Sequence, residues 1–135
     1  MIIKSNFEKI CGEKNNHTVV VADENAKRLI SIGFVLDALK LEYYFANNGK
    51  TALDLVYEKK PNLVLLNAAM PYLNGIEVNT LIKSDLFTNH ISTIAIVERT
   101  EPKHMNAIEA EFDDYIVQPF TIENLEAKIK RFTKK

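Results

Sequence analysis

From Thr18 onward the chain alternates short apolar runs with longer amphipathic segments. The runs Val19–Val21 and Leu63–Leu66 are continuously apolar, which is typical of central strands covered on both faces. Alternating strand and helix patterns indicate repeated β–α units and a parallel sheet. The predicted strands are Thr18 to Ala22, Leu41 to Ala46, Leu63 to Asn67, Thr93 to Val97 and Tyr115 to Val117. The predicted helices are Asn25 to Lys40, Lys50 to Lys59, Ile76 to Ser84, Pro102 to Glu109 and Ile122 to Phe132.

The first 17 residues do not follow this rhythm. They are mostly polar and charged, and Glu13 to His17 lacks the apolar periodicity that a packed element needs. We therefore expect an N-terminal tail or linker over residues 1–17 and a single domain over residues 18–135. A length of 135 residues with 47% hydrophobic residues is enough for one globular core.

Charge and cysteine content limit which classes of binding partner and which cellular compartment we expect. Seventeen basic and eighteen acidic residues, without a long run of one sign, give no electrostatic footprint for nucleic acid. Cys11 is the only cysteine, which suits a reducing compartment, so we expect a cytoplasmic protein. No apolar run is long enough to span a bilayer, so membrane insertion is not expected. The three histidines are scattered, which disfavours a zinc site.

Candidate functional residues follow from the sheet. In an open parallel sheet, functional side chains collect at the carboxyl ends of the strands. The residues at these positions are Asp23 and Glu24 after the first strand, Asn67 and Val97 at the ends of the third and fourth, and Gln118 after the fifth.

Four motifs, in order, resemble the receiver domain of bacterial response regulators over Thr18 to Phe132. They are Val19 to Glu24, Asn48 to Leu53, Pro61 to Asn67 with Met70-Pro71 and Asn74-Gly75 behind it, and Asp114 to Phe120. The resemblance implies a flavodoxin-like, three-layer α/β sandwich with five helices. It also implies a five-stranded parallel sheet in the order 2-1-3-4-5 and a role in two-component signalling.

The departures from the family pattern concern its chemistry. The resemblance places the phosphoacceptor aspartate at Asn67, the conserved lysine at Gln118 and the hydroxyl residue at Val97. An amide oxygen is a poor nucleophile, so we expect a degenerate pseudo-receiver that is not an enzyme and needs no cofactor. The family's acidic pair, matched by Asp23 and Glu24, then leaves at most a weak cation site. Asn67 and Gln118 are expected to form a neutral hydrogen-bonded pair.

Plainer interpretations of these residues stand beside the functional ones. For Asp23 and Glu24, a helix cap with first-turn charge is the preferred explanation over a cation site. Asn67 is explained equally well as a residue that satisfies backbone groups at a strand end. Tyr115 matches the family's switch aromatic, but beside Val97 it is expected to be a fixed core or interface residue. Two alternative functions remain: a phospho-switch trapped by asparagine at position 67, and a small-ligand sensor that uses the emptied pocket.

The first predicted helix carries more apolar residues than a sheet contact requires. One stripe comprises Leu29, Ile32, Val35, Leu36 and Leu39. Ile30 and Phe34 lie away from it, either covered by a neighbouring helix or the N-terminal tail, or forming a partner or dimer surface. We expect a phosphorylation-independent module that binds a protein partner, such as a histidine kinase or another signalling protein, or a second copy of itself.

Overall fold

The computed structural model describes residues 17–98 and 102–133. Its strands are β1 (Thr18–Ala22), β2 (Glu42–Ala46), β3 (Leu63–Asn67), β4 (Ser92–Val97) and β5 (Asp114–Val117). Its helices are α1 (Ala26–Ala38), α2 (Gly49–Lys59), α3 (Gly75–Ser84), α4 (Pro102–Glu111) and α5 (Ile122–Thr133). Every predicted element is present, and no boundary moves by more than two residues. The predicted tail lies outside the described residues, except for residue 17.

The five strands form one parallel sheet in the order β2-β1-β3-β4-β5. The predicted order 2-1-3-4-5 and the predicted fold class are therefore confirmed. The central strand β3 is buried at all five positions, which explains its unbroken apolar sequence. Because all strands run in one direction, their carboxyl ends meet at a single edge of the sheet.

Helices cover both faces of the sheet, and alternate residues of each strand serve alternate faces. Val64 and Leu66 of β3 join a buried apolar cluster with α2, α3 and α4. Leu63 and Leu65 join a second cluster, to which α1 and α5 contribute Leu36 and other buried residues. These two clusters are the inner interfaces of a three-layer sandwich.

Both ends of α1 are fixed by local hydrogen bonds. At its start, the side chain of Asn25 accepts a hydrogen bond of 3.0 Å from the N–H of Arg28. At its end, Lys40 adopts a left-handed conformation with φ 59° and donates to the carbonyl of Asp37. The N–H of Leu41 donates to the carbonyl of Leu36, and both leucines belong to the same buried cluster. This is a Schellman motif, which sets the exit of α1 toward β2.

The start of α3 lies directly against the end of β3. A Cβ atom on Gly75 would be 2.1 Å from the carbonyl oxygen of Asn67, so only glycine permits this approach. A reciprocal capping box between Asn74 and Glu77 closes the first turn of α3. The backbone at Asn67 is thus held between the sheet and a capped helix.

Among the residues that the structure describes, none belongs to a helix long and apolar enough to cross a membrane.

Candidate functional site

The ends of β1 and β3 converge at Asp23 and Asn67, two buried polar residues. The side-chain nitrogen of Asn67 donates a hydrogen bond of 3.0 Å to Oδ1 of Asp23. The side-chain oxygen of Asn67 accepts a hydrogen bond of 3.0 Å from the N–H of Ala69. Asn67 therefore satisfies a backbone group at the strand end and also contacts an ionisable neighbour through its other end.

A cation from α1 completes this site. Arg28 places Nε 2.5 Å from Oδ2 of Asp23 and Nη2 3.1 Å from Oδ1. The arginine side chain is 16% exposed, whereas that of Asp23 is fully buried. The N–H of Asn25 also donates to Oδ1, at 2.9 Å. The carboxylate thus receives charge-assisted hydrogen bonds at both oxygens, which is the strong, geometrically specific form of such a pair.

Arg28 is a site residue that the sequence reasoning missed. Its signal was its position: it lies in the first turn of a helix that has no acidic residue there. The positive end of the helix macrodipole disfavours a cation at that place. A nearby carboxylate would stabilise an arginine at this position, and Asp23 lies five residues before it.

The acidic pair contributes one carboxylate to the pocket, not two. Asp23 is buried, whereas Glu24 is exposed. The interpretation of these two residues as a helix cap is wrong, because the cap of α1 is Asn25 and no acidic side chain lies in the first turn. The chain bends immediately after β1, so neighbouring side chains point to different surroundings.

The predicted pair between Asn67 and Gln118 is also wrong. The side-chain nitrogen of Gln118 is buried and has no hydrogen-bond partner among the described residues. The amide of Asn67 is engaged by Asp23 and Ala69 instead. The physical reason is that an ionised carboxylate is a stronger acceptor than a neutral amide. The positive charge in contact with Asp23 is the guanidinium of Arg28.

The remaining predicted residues lie on β4 and β5, the next two strands of the sheet after β3. Val97 ends β4 and is buried in the apolar cluster shared with α2, α3 and α4. Tyr115 is half-buried and packs against the same cluster, and the amine of Lys128 lies 6.0 Å from its ring centroid. Val97 has no hydroxyl group, so any coupling between the two is apolar.

The donor set does not fit a magnesium ion. Mg²⁺ requires several oxygen ligands in near-octahedral geometry. Both oxygens of Asp23 already accept hydrogen bonds from a guanidinium, and the side-chain oxygen of Asn67 accepts one from the backbone. Within residues 17–98 and 102–133, no group of three or more histidine, cysteine, aspartate or glutamate residues is placed to hold a metal ion.

An apolar surface lies on the exposed side of α1. Ile30 and Phe34 are 57% and 70% exposed, while Leu29, Ile32, Val35 and Leu36 are buried as the helical periodicity predicts. The expected cover by a neighbouring helix is therefore absent in the described part of the chain. The N-terminal tail, which was the other segment expected to cover Ile30 and Phe34, lies outside the described residues except for residue 17. Next to this surface is an open groove lined by Lys27, Arg28, Ser31, Gln118, Phe120 and Ile122, among others.

A second exposed apolar pair escaped the sequence reasoning. Leu86 and Phe87, between α3 and β4, are 86% and 83% exposed. They follow Asp85, whose carboxylate accepts a hydrogen bond of 2.5 Å from the hydroxyl of Tyr57. That bond lowers the pKa of Asp85 and raises the pKa of Tyr57. The signal in the sequence was two adjacent large apolar residues outside any periodic segment.

Comparison with known sequences gives one consistent family. The sequence profile of the family described as "Response regulator receiver domain" matches residues 19–130. The chain is 28% identical over 130 residues to histidine kinase P4 of Formosa agariphila, covering 94% of this chain and 9% of that protein. It is 30% identical over 114 residues to the phosphate regulon transcriptional regulatory protein PhoB of Pseudomonas aeruginosa, covering 84% of this chain and 50% of that protein. The chain thus spans half or less of these relatives.

Solved structures agree with the fold. A putative response regulator from Chloroflexus aurantiacus superposes with a TM-score of 0.81 at 20% identity, covering 88% of this chain and 98% of that one. The receiver domain of the sensor histidine kinase PA1611 from Pseudomonas aeruginosa gives a TM-score of 0.79 at 18% identity, again over 88% and 98% of the two chains. That receiver domain has a magnesium ion coordinated in its active-site cleft.

Proposed function

Because this chain belongs to the response regulator receiver family of two-component signalling, we propose that it is a pseudo-receiver, which binds a protein partner without being phosphorylated. The observation that carries the proposal is the state of Asn67. A neutral amide stands where the resemblance places the acceptor carboxylate, and both of its polar ends are engaged. The domain is accordingly not an enzyme.

The surrounding residues support this proposal chemically. Formation of an acyl phosphate requires a carboxylate that attacks phosphorus and groups that hold the phosphoryl oxygens. Val97 offers no hydroxyl group, and Gln118 carries no charge. Arg28 is a cation, but both of its contacting nitrogens are directed at Asp23.

The two alternative functions have less support. A phospho-switch trapped by Asn67 alone leaves Val97, Gln118 and Arg28 unexplained. A small-ligand sensor would need free donors and acceptors in the former phosphorylation pocket. There, the hydrogen-bonding groups of Asp23 and Asn67 are occupied by one another, by Arg28 and by the backbone. Among the predicted pocket residues, the side-chain nitrogen of Gln118 alone is a buried donor without a partner in the described part of the chain.

We assign the partner contact to the exposed face of α1. Ile30 and Phe34 are four residues apart and therefore share one side of the helix. The adjoining groove is lined by Arg28, the same residue that holds Asp23, so a partner seated there lies next to the former phosphorylation pocket. The class of partner that fits the family is a histidine kinase or another signalling protein. A homodimer is the competing arrangement, and sedimentation separates the two.

The test is phosphoryl transfer from a small donor. The full chain is incubated with acetyl phosphate and Mg²⁺, and its intact mass is followed beside that of a receiver domain with an acceptor aspartate. We expect the control to gain a phosphoryl group and this chain to keep its mass. A stoichiometric adduct that hydroxylamine removes, as it removes acyl phosphates, would refute the proposal.

A further inference from the structure

The charge on Asp23 is neutralised from within the chain. Burial of a carboxylate without a counter-charge is strongly unfavourable. Asp23 is fully buried, and the cation in contact with it is the guanidinium of Arg28. Asn67, which donates a hydrogen bond to Asp23, is neutral, so one negative and one positive charge balance.

The geometry makes the guanidinium a fixed part of the pocket. Arg28 lies in the first turn of α1, and that turn is anchored by the side chain of Asn25. The two contacting nitrogens reach different oxygens of Asp23, and this two-point contact sets the orientation of both side chains. A dication entering the same space would have to displace a bidentate ion pair and would find one carboxylate as its charged ligand.

We infer that Arg28 is a built-in counter-ion that keeps divalent cations out of this pocket, and that removing it exposes a latent Mg²⁺ or Mn²⁺ site whose charged ligand is Asp23. The inference rests on the proposed function only in taking the pocket to be free of a phosphoryl group. A purely structural ion pair predicts lost stability when Arg28 is removed. If Arg28 instead takes the place of a metal ion, a divalent cation should also restore part of the stability that is lost when Arg28 is removed.

The experiment compares the full chain with Arg28→Met and with the double variant Asp23→Asn/Arg28→Met, which removes both charges. Thermal melting is recorded in MgCl₂ and in NaCl of matched ionic strength, and Mn²⁺ binding is followed by electron paramagnetic resonance. We expect no Mg²⁺-specific shift for the native chain. Arg28→Met should melt at a lower temperature than the native chain and recover part of that difference in Mg²⁺. It should also bind Mn²⁺ at least about tenfold more tightly than the native chain. The double variant should not respond to either cation.

Two results would overturn the inference. One is an Mg²⁺-specific shift in the native chain as large as that in Arg28→Met, which would mean that Arg28 excludes nothing. The other is an Arg28→Met protein that neither recovers in Mg²⁺ nor binds Mn²⁺ through Asp23.

If Arg28→Met folds only in the presence of Mg²⁺, that dependence itself supports the inference. If it folds under neither condition, Arg28→Gln decides by the same measurements, and failure of both variants to fold in Mg²⁺ counts against the inference. No phosphodonor is present, so the mass experiment and this one can fail independently.

Discussion

The side-chain amide of Asn67 lies 3.0 Å from Oδ1 of Asp23, a contact that joins the ends of two neighbouring strands across 44 positions of sequence. The asparagine is the donor and the buried carboxylate is the acceptor. An aspartate at position 67 could act as a donor only when protonated. The residue at position 67 therefore has to supply a hydrogen-bond donor to Asp23.

We predict that Asn67→Asp lowers the free energy of unfolding at pH 7 by about 1–3 kcal/mol, because a hydrogen bond is lost and two carboxylates then share one guanidinium. The crowding raises the folded-state pKa of one carboxyl above its unfolded value. The associated stability is then present at low pH and lost as pH rises, so the deficit should shrink on acidification. Urea unfolding at pH 7 and at pH 5 measures both effects. Asn89→Asp, the same change at an exposed position, is the control and should show neither. Equal behaviour of the two variants would contradict the prediction.

Asn67→Asp alone should also fail to restore a normal switch. Even with an acceptor carboxylate, the phosphoryl oxygens would lack the hydroxyl and lysine partners that Val97 and Gln118 replace. Intact mass after incubation with acetyl phosphate and Mg²⁺ checks acceptance, and sedimentation checks any change of oligomeric state. Rapid, complete phosphorylation with altered sedimentation would show that the pocket is less degenerate than proposed.

Phe34→Glu should weaken partner capture or self-association without unfolding the domain. The side chain is 70% exposed, so the change in unfolding free energy should stay within about 0.5 kcal/mol. Pull-down and sedimentation are measured beside thermal melting. Phe87→Glu is the matched control, because Phe87 is equally aromatic and 83% exposed at a different place. If only the Phe87 variant loses binding, the partner surface lies between α3 and β4 instead.

Alkaline pH should destabilise the fold through Tyr43. Burial, and then the charge of nearby Asp37, raise the pKa of Tyr43 from 10.0 to about 12. The folded state therefore favours the neutral phenol. Its contribution is fully present below pH 10 and is lost as pH rises toward 12. Unfolding free energies across this window should fall more steeply for the native chain than for Tyr43→Phe. Tyr72→Phe, at an exposed tyrosine, should follow the native slope.

Lys40→Gly should stabilise the domain. Lys40 is exposed and holds φ at 59°, a left-handed conformation that glycine adopts without a steric penalty. We expect a gain of about 0.5–1 kcal/mol in unfolding free energy by urea titration. Lys130→Gly, inside α5, should instead lose about 1 kcal/mol. A loss at position 40 would mean that the lysine side chain contributes something that the Schellman geometry does not explain.

The fold could be predicted from the sequence because the apolar runs and the helical periodicity indicated the same architecture. The unbroken apolar run of β3 predicted a central strand, and helical periodicity separated Leu36, in the core, from Phe34, in solvent. The polar contacts were harder to predict. Whether Glu24 or Asp23 enters the pocket depends on a bend after β1, and the direction of a long side chain such as Arg28 depends on its rotamer. Periodicity specifies neither.

The bidentate contact between Arg28 and Asp23 also limits which single substitutions the site tolerates. Placing aspartate at position 67 while Arg28 remains crowds two anions against one cation. Losing Arg28 while Asn67 remains strips a buried anion of its counter-charge. Either single substitution is therefore expected to lower stability. Substitutions at residues 28 and 67 should have non-additive effects, so the residue at one position determines which residues the other tolerates.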